Sequence, residues 1–168
     1  MHPLVKLAKD TVEEFTKTGK TLEPPLAPVP EMKEKAGVFV SLKIKGDLRG
    51  CIGTFSPAQE NIAHEIIQNA ISAASQDPRF SPVEVSELEE IEYSVDILST
   101  PEKVASKKEL DPKKYGVIVK SSDRKGLLLP DLEGVDTVDD QISIASMKAG
   151  IYMGDEIELY RFEVKRYR

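Results

Sequence analysis

The chain of 168 residues is 40% hydrophobic and 31% charged, which predicts one soluble globular domain over residues 1–168 with room for a small second lobe. Its formal net charge is −6, and every group of Lys and Arg is interleaved with acids, so nucleic acid is not an expected partner. No apolar run approaches the ~20 residues of a membrane-spanning helix, and no signal segment opens the chain, so we predict a cytoplasmic protein without membrane contact.

Metal-binding and redox residues are scarce. Cys51 is the only cysteine, and the two histidines, His2 and His64, are far apart in the sequence. One cysteine excludes an intramolecular disulfide and a zinc site built from several cysteines. There is also no glycine-rich phosphate loop. We therefore predict no metal and no cofactor.

The first 55 residues predict a helix, an extended segment and a β-hairpin. Apolar residues recur at helical spacing from Pro3 until Gly19. Residues 20–35 contain four prolines, so they predict a proline-rich strap that lies extended on the surface. Apolar residues alternate over 38–45, and a short turn leads at once to Leu48–Thr54, which together predict the hairpin.

The middle of the chain predicts a helix, a stiff loop and a strand. Ser56, Pro57 and Gln59 fit a capping box, so the helix is predicted to start there and to end near Ser75. Asp77 to Pro82 then form a stiff charged loop. Leu88 to Leu98 alternate as a half-buried strand.

The C-terminal part predicts a second hairpin, a third helix and a final strand. A polar connection over 99–114 precedes the hairpin of 115–129. Thr137 is predicted to cap the helix and Gly150 to end it. The final strand, from Glu156 to Arg168, is predicted to contain a bulge near Tyr160. Hairpins beside helices indicate an α+β fold with a largely antiparallel sheet and flanking helices.

The stretch Leu48–Phe55 is the strongest candidate for a functional site. In a regular strand Arg49 and Cys51 share one face, and a neighbouring guanidinium favours the reactive thiolate. We therefore predict Cys51 and Arg49 as catalytic residues. The alternative is a small, buried and inert Cys51, with Arg49 paired to a carboxylate such as Asp77 or Glu65.

Further candidates for substrate binding surround this strand. Gly50 and Gly53 leave the backbone bare where a ligand could approach, and Thr54 ends the same strand. Asp77 and Arg79 lie in the stiff loop, where the alternative is a locally capped turn with Arg79 over Phe80. Only tertiary folding can bring this loop to Cys51.

His64 and Lys148 are the last two candidate residues for the functional site. His64 is the only histidine placed to act as a general base, although its helical position also fits a residue on the flank of the helix. Lys148 is predicted to bind an anion, or more simply to stabilise the C-terminal end of its helix.

Four stretches together resemble the AMMECR domain, whose archaeal and bacterial members are called AmmeMemoRadiSam system protein A. They are Leu48–Phe55, Asp77–Phe80, Leu128–Pro130 and Lys148–Gly150. The resemblance covers the chain from about Gly37 to its end. It implies an α+β fold with a larger and a smaller lobe, and a genomic association with a Memo-like protein and a radical-SAM protein. Many members carry a second cysteine near Lys148, which this chain lacks, so a two-thiol mechanism is not expected.

Two functions follow as hypotheses. The first is a small cytosolic enzyme, or enzyme subunit, that uses Cys51 and Arg49 in a cleft between two lobes on a small-molecule or peptide substrate, with an anionic group for Arg49 to bind. The second is a non-catalytic binding or adaptor module that acts with Memo-like and radical-SAM proteins. The unpaired thiol favours the enzyme, and the lack of an identifiable base, metal set or cofactor loop favours the module.

Overall fold

A computed structural model describes residues 1–168, and the fold is α+β, as the sequence predicts. Its sheets have the strand orders β2-β1-β3-β8 and β4-β7-β5-β6, and the pairs β1–β2, β4–β7, β5–β6 and β5–β7 are antiparallel. The helices are α1 (Pro3–Thr18), α2 (Ile62–Ser75) and α3 (Val138–Lys148). The strands are β1 (Gly37–Ile44), β2 (Asp47–Thr54), β3 (Ile91–Leu98), β4 (Glu102–Val104), β5 (Gly116–Ser121), β6 (Arg124–Leu128), β7 (Glu158–Phe162) and β8 (Val164–Tyr167).

The first of two compact units comprises Met1–Ile97 and Lys165–Arg168. Its core packs α1 and α2 with the sheet β2-β1-β3-β8. Helix α1 has the predicted bounds: the His2 Nδ1 accepts the Leu4 amide at 3.2 Å, and Gly19 ends the helix at φ +73°. In the strap region the side chain of Leu26 is fully exposed, whereas Leu22 and Val29 pack against the core.

Helix α2 starts later than the sequence predicts. Its first residue is Ile62, and the Asn61 side chain, not Ser56, provides the N-cap by accepting the His64 amide at 3.0 Å. The predicted start fails because the buried Glu65 carboxylate accepts the amides of Ala58 and Gln59, which fixes that segment outside the helix. The predicted end at Ser75 is confirmed.

The second compact unit comprises Leu98–Val164. Helix α3 packs on the sheet β4-β7-β5-β6 over a core that includes Val117, Val119 and Ala145. The predicted caps are confirmed, since the Thr137 side chain accepts the Asp140 amide at 3.0 Å and Gly150 follows the helix at φ +69°.

Two strand predictions need correction. The strand expected from Leu88 begins at Ile91, because residues 85–90 form a 3₁₀ turn. The C-terminal strand has no bulge at Tyr160 but is divided at Glu163, so that β7 belongs to one sheet and β8 to the other. None of the helices has the length and the apolar character that crossing a membrane would require.

Candidate functional site

Strand β2 is an edge strand, and the loop after α2 covers its open side at Cys51. The Cys51 amide donates to the Asp77 carboxylate at 3.0 Å, and the Cys51 carbonyl accepts from Arg79 at 3.4 Å. Side chains of the loop thus satisfy both backbone groups that a neighbouring strand would otherwise use. Tertiary folding therefore brings the Asp77–Phe80 stretch to the cysteine strand.

Asp77 and Arg79 form the centre of this contact. The Arg79 Nη2 and Nε lie 2.8 and 3.0 Å from the two carboxylate oxygens of Asp77. Arg79 above all, together with the Cys51 and Arg79 amides, holds the pKa of Asp77 well below its usual range. Asp77 is buried, whereas the Arg79 side chain is 56% exposed and its guanidinium lies 5.5 Å from the Phe80 ring. Arg79 therefore binds Asp77 and the Cys51 backbone with one edge of its guanidinium, and more than half of its side chain faces solvent.

Arg49 does not act on the thiol as the sequence predicts. Leu48 lies opposite Lys43 and Gly50 opposite Leu42, so Arg49 is the extra residue of a β-bulge and the assumed alternation of faces fails there. Its Nε and Nη2 donate to the Glu87 carboxylate at 2.7 and 2.9 Å.

The rest of the Arg49 guanidinium is bound as well. Nη1 donates to the Ser81 carbonyl at 2.8 Å and Nη2 also to the Pro82 carbonyl at 3.2 Å. The side chain is 14% exposed. Arg49 therefore connects β2 to the segment before β3. Its carboxylate partner is Glu87, and not Asp77 or Glu65 as the sequence suggested.

The Cys51 thiol is half-buried beside a hydroxyl group. Its Sγ lies 3.2 Å from the Ser41 hydroxyl on the neighbouring strand. Burial raises the pKa of the thiol, Asp96 and Asp77 act in the same direction, and Ser41 and Arg79 oppose them without reversing the shift. The prediction that Arg49 favours the thiolate is wrong, because Arg49 is bound to Glu87 and is not among the groups that shift this pKa. Arg79 does lower it, but desolvation outweighs that charge.

His64 and Thr54 belong to networks of their own. The His64 Nδ1 lies 2.9 Å from Asn61 Oδ1 at the start of α2, and none of the hydrogen bonds of Cys51 involves His64. The Thr54 hydroxyl donates to the buried Glu65 carboxylate at 2.9 Å. The structure thus gives Thr54 an internal partner and does not bring His64 to the thiol.

The two glycines of the motif face the protein's own atoms. A Cβ at Gly50 would overlap the Ala73 carbonyl of α2, and a Cβ at Gly53 would overlap the Phe39 ring. Both glycines therefore permit close packing within the first unit. Lys148 lies in the second unit, where its ammonium donates to the Leu127 carbonyl at 3.1 Å.

Sequence reasoning missed the residues that surround Cys51 across the sheet. Besides Ser41, which contacts the thiol, they include Asp96 of β3, whose charge acts on the thiol pKa; Asp96 is 2% exposed and pairs with Arg166 of β8 at 2.7 and 2.9 Å. The available signal was an acid inside the apolar alternation of Ile91–Leu98. The structure contains no group of three or more His, Cys, Asp or Glu residues that could hold a metal ion.

Comparisons with known proteins agree on one family. The AMMECR1 family model matches residues 5–167. A Thermotoga maritima protein is 56% identical over 99% of this chain and 98% of its own length. Protein CA_C1420 of Clostridium acetobutylicum is 51% identical, and this chain spans 36% of that longer protein. The crystal structure of the uncharacterized protein PH0010 from Pyrococcus horikoshii has a TM-score of 0.90 at 32% identity, over 97% of this chain and 88% of that one. The matches confirm the resemblance, and none of these names states an activity.

Proposed function

The chain belongs to the AMMECR1 family, and from that premise we propose that it is a non-catalytic binding module that acts with a Memo-like protein and a radical-SAM protein. The genomic association implied by the family resemblance supplies these partners. A cytoplasmic location is part of the proposal, and the single unpaired cysteine favours it.

The observation that supports the proposal is that the chain itself already engages the groups that a Cys51-based reaction would need. All three guanidinium nitrogens of Arg49 donate to Glu87, Ser81 or Pro82. The thiol has a raised pKa, and its side-chain neighbour is the Ser41 hydroxyl, which is not a base. An activated nucleophile normally has a general base within hydrogen-bond reach.

A partner surface is available on the turn that follows α3. The Asp155 carboxylate accepts the Tyr152 amide at 2.9 Å and lies 3.4 Å from Arg124, which also donates to the Gly150 carbonyl at 2.6 Å. This clamp holds Tyr152 and Met153 outward, 74% and 103% exposed. Tyr and Met are enriched in protein interfaces, and a fixed turn binds with a smaller loss of conformational entropy. We therefore assign the partner contact to this turn.

The test uses the purified chain with the Memo-like and radical-SAM proteins encoded in the same genome. Isothermal titration calorimetry should detect binding to at least one of them. The double variant Tyr152→Ser/Met153→Ser should weaken it by about tenfold or more, as for interface residues whose truncation costs over ~1.4 kcal/mol. Val85→Ser, which removes another exposed apolar side chain, should leave the affinity unchanged, and so should Cys51→Ser. Absence of binding to both partners, or its loss in Cys51→Ser, would contradict the proposal.

A second candidate function is thiol chemistry at Cys51 on a small or peptidic substrate with an anionic group. The observation that favours it is the position of Arg79, whose exposed guanidinium lies beside Cys51 and opposes the rise of the thiol pKa. In this alternative Arg79, rather than Arg49, would bind the anionic group. A reaction that requires Cys51 while partner binding does not would favour this candidate.

A further inference from the structure

The second unit contains a polar cavity of about 360 Å³, within the size range of small-molecule sites, roughly 300–1,000 Å³. It lies where β7 pairs with the start of β5. None of its residues belongs to the motifs that carry the family resemblance. The lining residues are Ser99, Thr100, Glu102, Tyr115, Arg161, Phe162 and Glu163.

Arg161 is held in one orientation on the wall of this cavity. Its Nε lies 3.3 Å from the Glu102 carboxylate, and its Nη1 donates to the Glu109 carbonyl at 2.8 Å. The guanidinium carbon lies 4.5 Å from the centre of the Tyr115 ring. The remaining nitrogen, Nη2, has no hydrogen-bond partner in the chain. Arg161 therefore offers a pre-oriented cationic donor, which is the group that proteins use to bind carboxylates.

The cavity also contains a carboxylate and a hydroxyl group without side-chain partners. The Glu163 carboxylate makes no hydrogen bond or ion pair within the chain. Only the backbone of Glu163 is engaged: its amide donates to the Ser99 hydroxyl at 2.7 Å, and its carbonyl accepts the Ser99 amide at 2.9 Å. The Thr100 hydroxyl has no partner either. The Phe162 side chain is 2% exposed and packs against Gly116, which gives the cavity an apolar wall.

We propose that this cavity binds a zwitterionic amino acid or dipeptide. A simple anion would meet the carboxylates of Glu102 and Glu163, and a simple cation would meet Arg161. A zwitterion satisfies both, with its carboxylate on Arg161 Nη2 and the Thr100 hydroxyl and its ammonium group on Glu163. The site lies within the second unit and requires no partner protein.

The test is nuclear magnetic resonance titration of the whole ¹⁵N-labelled chain with the natural amino acids and glycylglycine, each at millimolar concentration. At least one should shift the amide signals of residues 99–102 and 161–163. Blocking its amine by acetylation should weaken binding about tenfold, as expected for one charge-assisted hydrogen bond. Comparing the free amino acids with glycylglycine distinguishes the two classes of ligand.

Two variants test the assignment without removing an internal contact. Glu163→Gln should weaken zwitterion binding about tenfold but leave the acetylated ligand unaffected, because only the ammonium contact is lost. Thr100→Val should weaken binding of both ligands, because both carry the carboxylate. The proposal is overturned if no member of the panel shifts these signals, if acetylation has no effect, or if Glu163→Gln weakens both ligands equally.

Discussion

Cys51 shows how burial and charge compete at a single residue. The thiol lies between strands, half-buried beside Ser41, and the loss of hydration raises its pKa more than Arg79 lowers it. The arginine that is nearest in sequence, Arg49, points instead to Glu87. A thiol in this state is protonated at neutral pH and is a weak nucleophile.

Alkylation kinetics test this description. Iodoacetamide should modify Cys51 of the folded chain with a pH midpoint above the ordinary thiol value of about 8.5. Arg79→Met should raise the midpoint further, because it removes the cation that favours the thiolate. Arg49→Met should leave it unchanged. Mass spectrometry of the labelled protein against pH gives each rate, and a midpoint at or below the ordinary value would contradict the assignment.

At the scale of elements, one arginine connects β2 to the segment that leads into β3. Arg49 and Glu87 are 38 positions apart in sequence, and their side chains are only 14% and 25% exposed. The same guanidinium also binds the carbonyls of Ser81 and Pro82, which lack partners in a sheet. The contact therefore fixes a loop that has little regular structure of its own.

A double-mutant cycle measures this connection. Arg49→Met and Glu87→Gln should each destabilise the fold by about 1–3 kcal/mol, with a coupling of similar size, because each leaves a mostly buried partner unsatisfied. Arg49 lowers the pKa of Glu87, so this stabilisation is present above the pKa of Glu87 in the unfolded chain and is lost as the pH falls through its lowered folded value. Urea unfolding of the four proteins against pH gives these energies. Additive effects of the two substitutions would show that the pair is not coupled.

Local patterns predict the elements of this chain better than its site. The limits of α1, the first hairpin and the caps of α3 follow from short-range rules, and the structure confirms them. The predicted start of α2 is wrong because the Glu65 carboxylate accepts the amides of Ala58 and Gln59 in the loop before the helix. The predicted face of Arg49 is wrong because a β-bulge shifts the register there, and Gly50 inside the strand signals either a bulge or a close approach without distinguishing the two. Contacts such as Arg49–Glu87 and Cys51–Asp77 depend on tertiary folding, so no spacing rule could supply them.

At the scale of the whole molecule, each unit contains a hairpin followed by a helix, packed in the same manner. In each, a buried amide side chain of the helix donates to the first strand or the residue before it: Asn69 to the Val38 carbonyl and Gln141 to the Tyr115 carbonyl, both at 2.9 Å. One turn further along each helix, a carbonyl lies over a glycine of the second strand. These pairs are Ala73 over Gly50 and Ala145 over Gly126.

Because the two units share this arrangement, we expect both to lose stability when the glycine under the helix carbonyl is replaced. Gly50→Ala and Gly126→Ala should each destabilise the protein by about 3 kcal/mol or more, the upper end of overpacking costs, because the added methyl group overlaps a helix carbonyl. Gly134→Ala is the control, since Gly134 has open space around it but a φ of +82°, and should cost only the ~1 kcal/mol of backbone strain. Thermal melting compares the three. A Gly126→Ala protein as stable as the control would contradict the equivalence of the two units.

Because the last strand is divided at Glu163, the first sheet receives its fourth strand late in the synthesis of the chain. The first unit is interrupted by the whole of Leu98–Val164, and β8 supplies its fourth strand only afterwards. Asp96 leaves the ribosome long before its partner Arg166, and a buried carboxylate without a partner is strongly unfavourable. The first sheet is therefore completed only after the second unit has been synthesised. A nascent chain that stops early retains an unfinished sheet edge, which distinguishes it, to a protease or a chaperone, from a finished molecule.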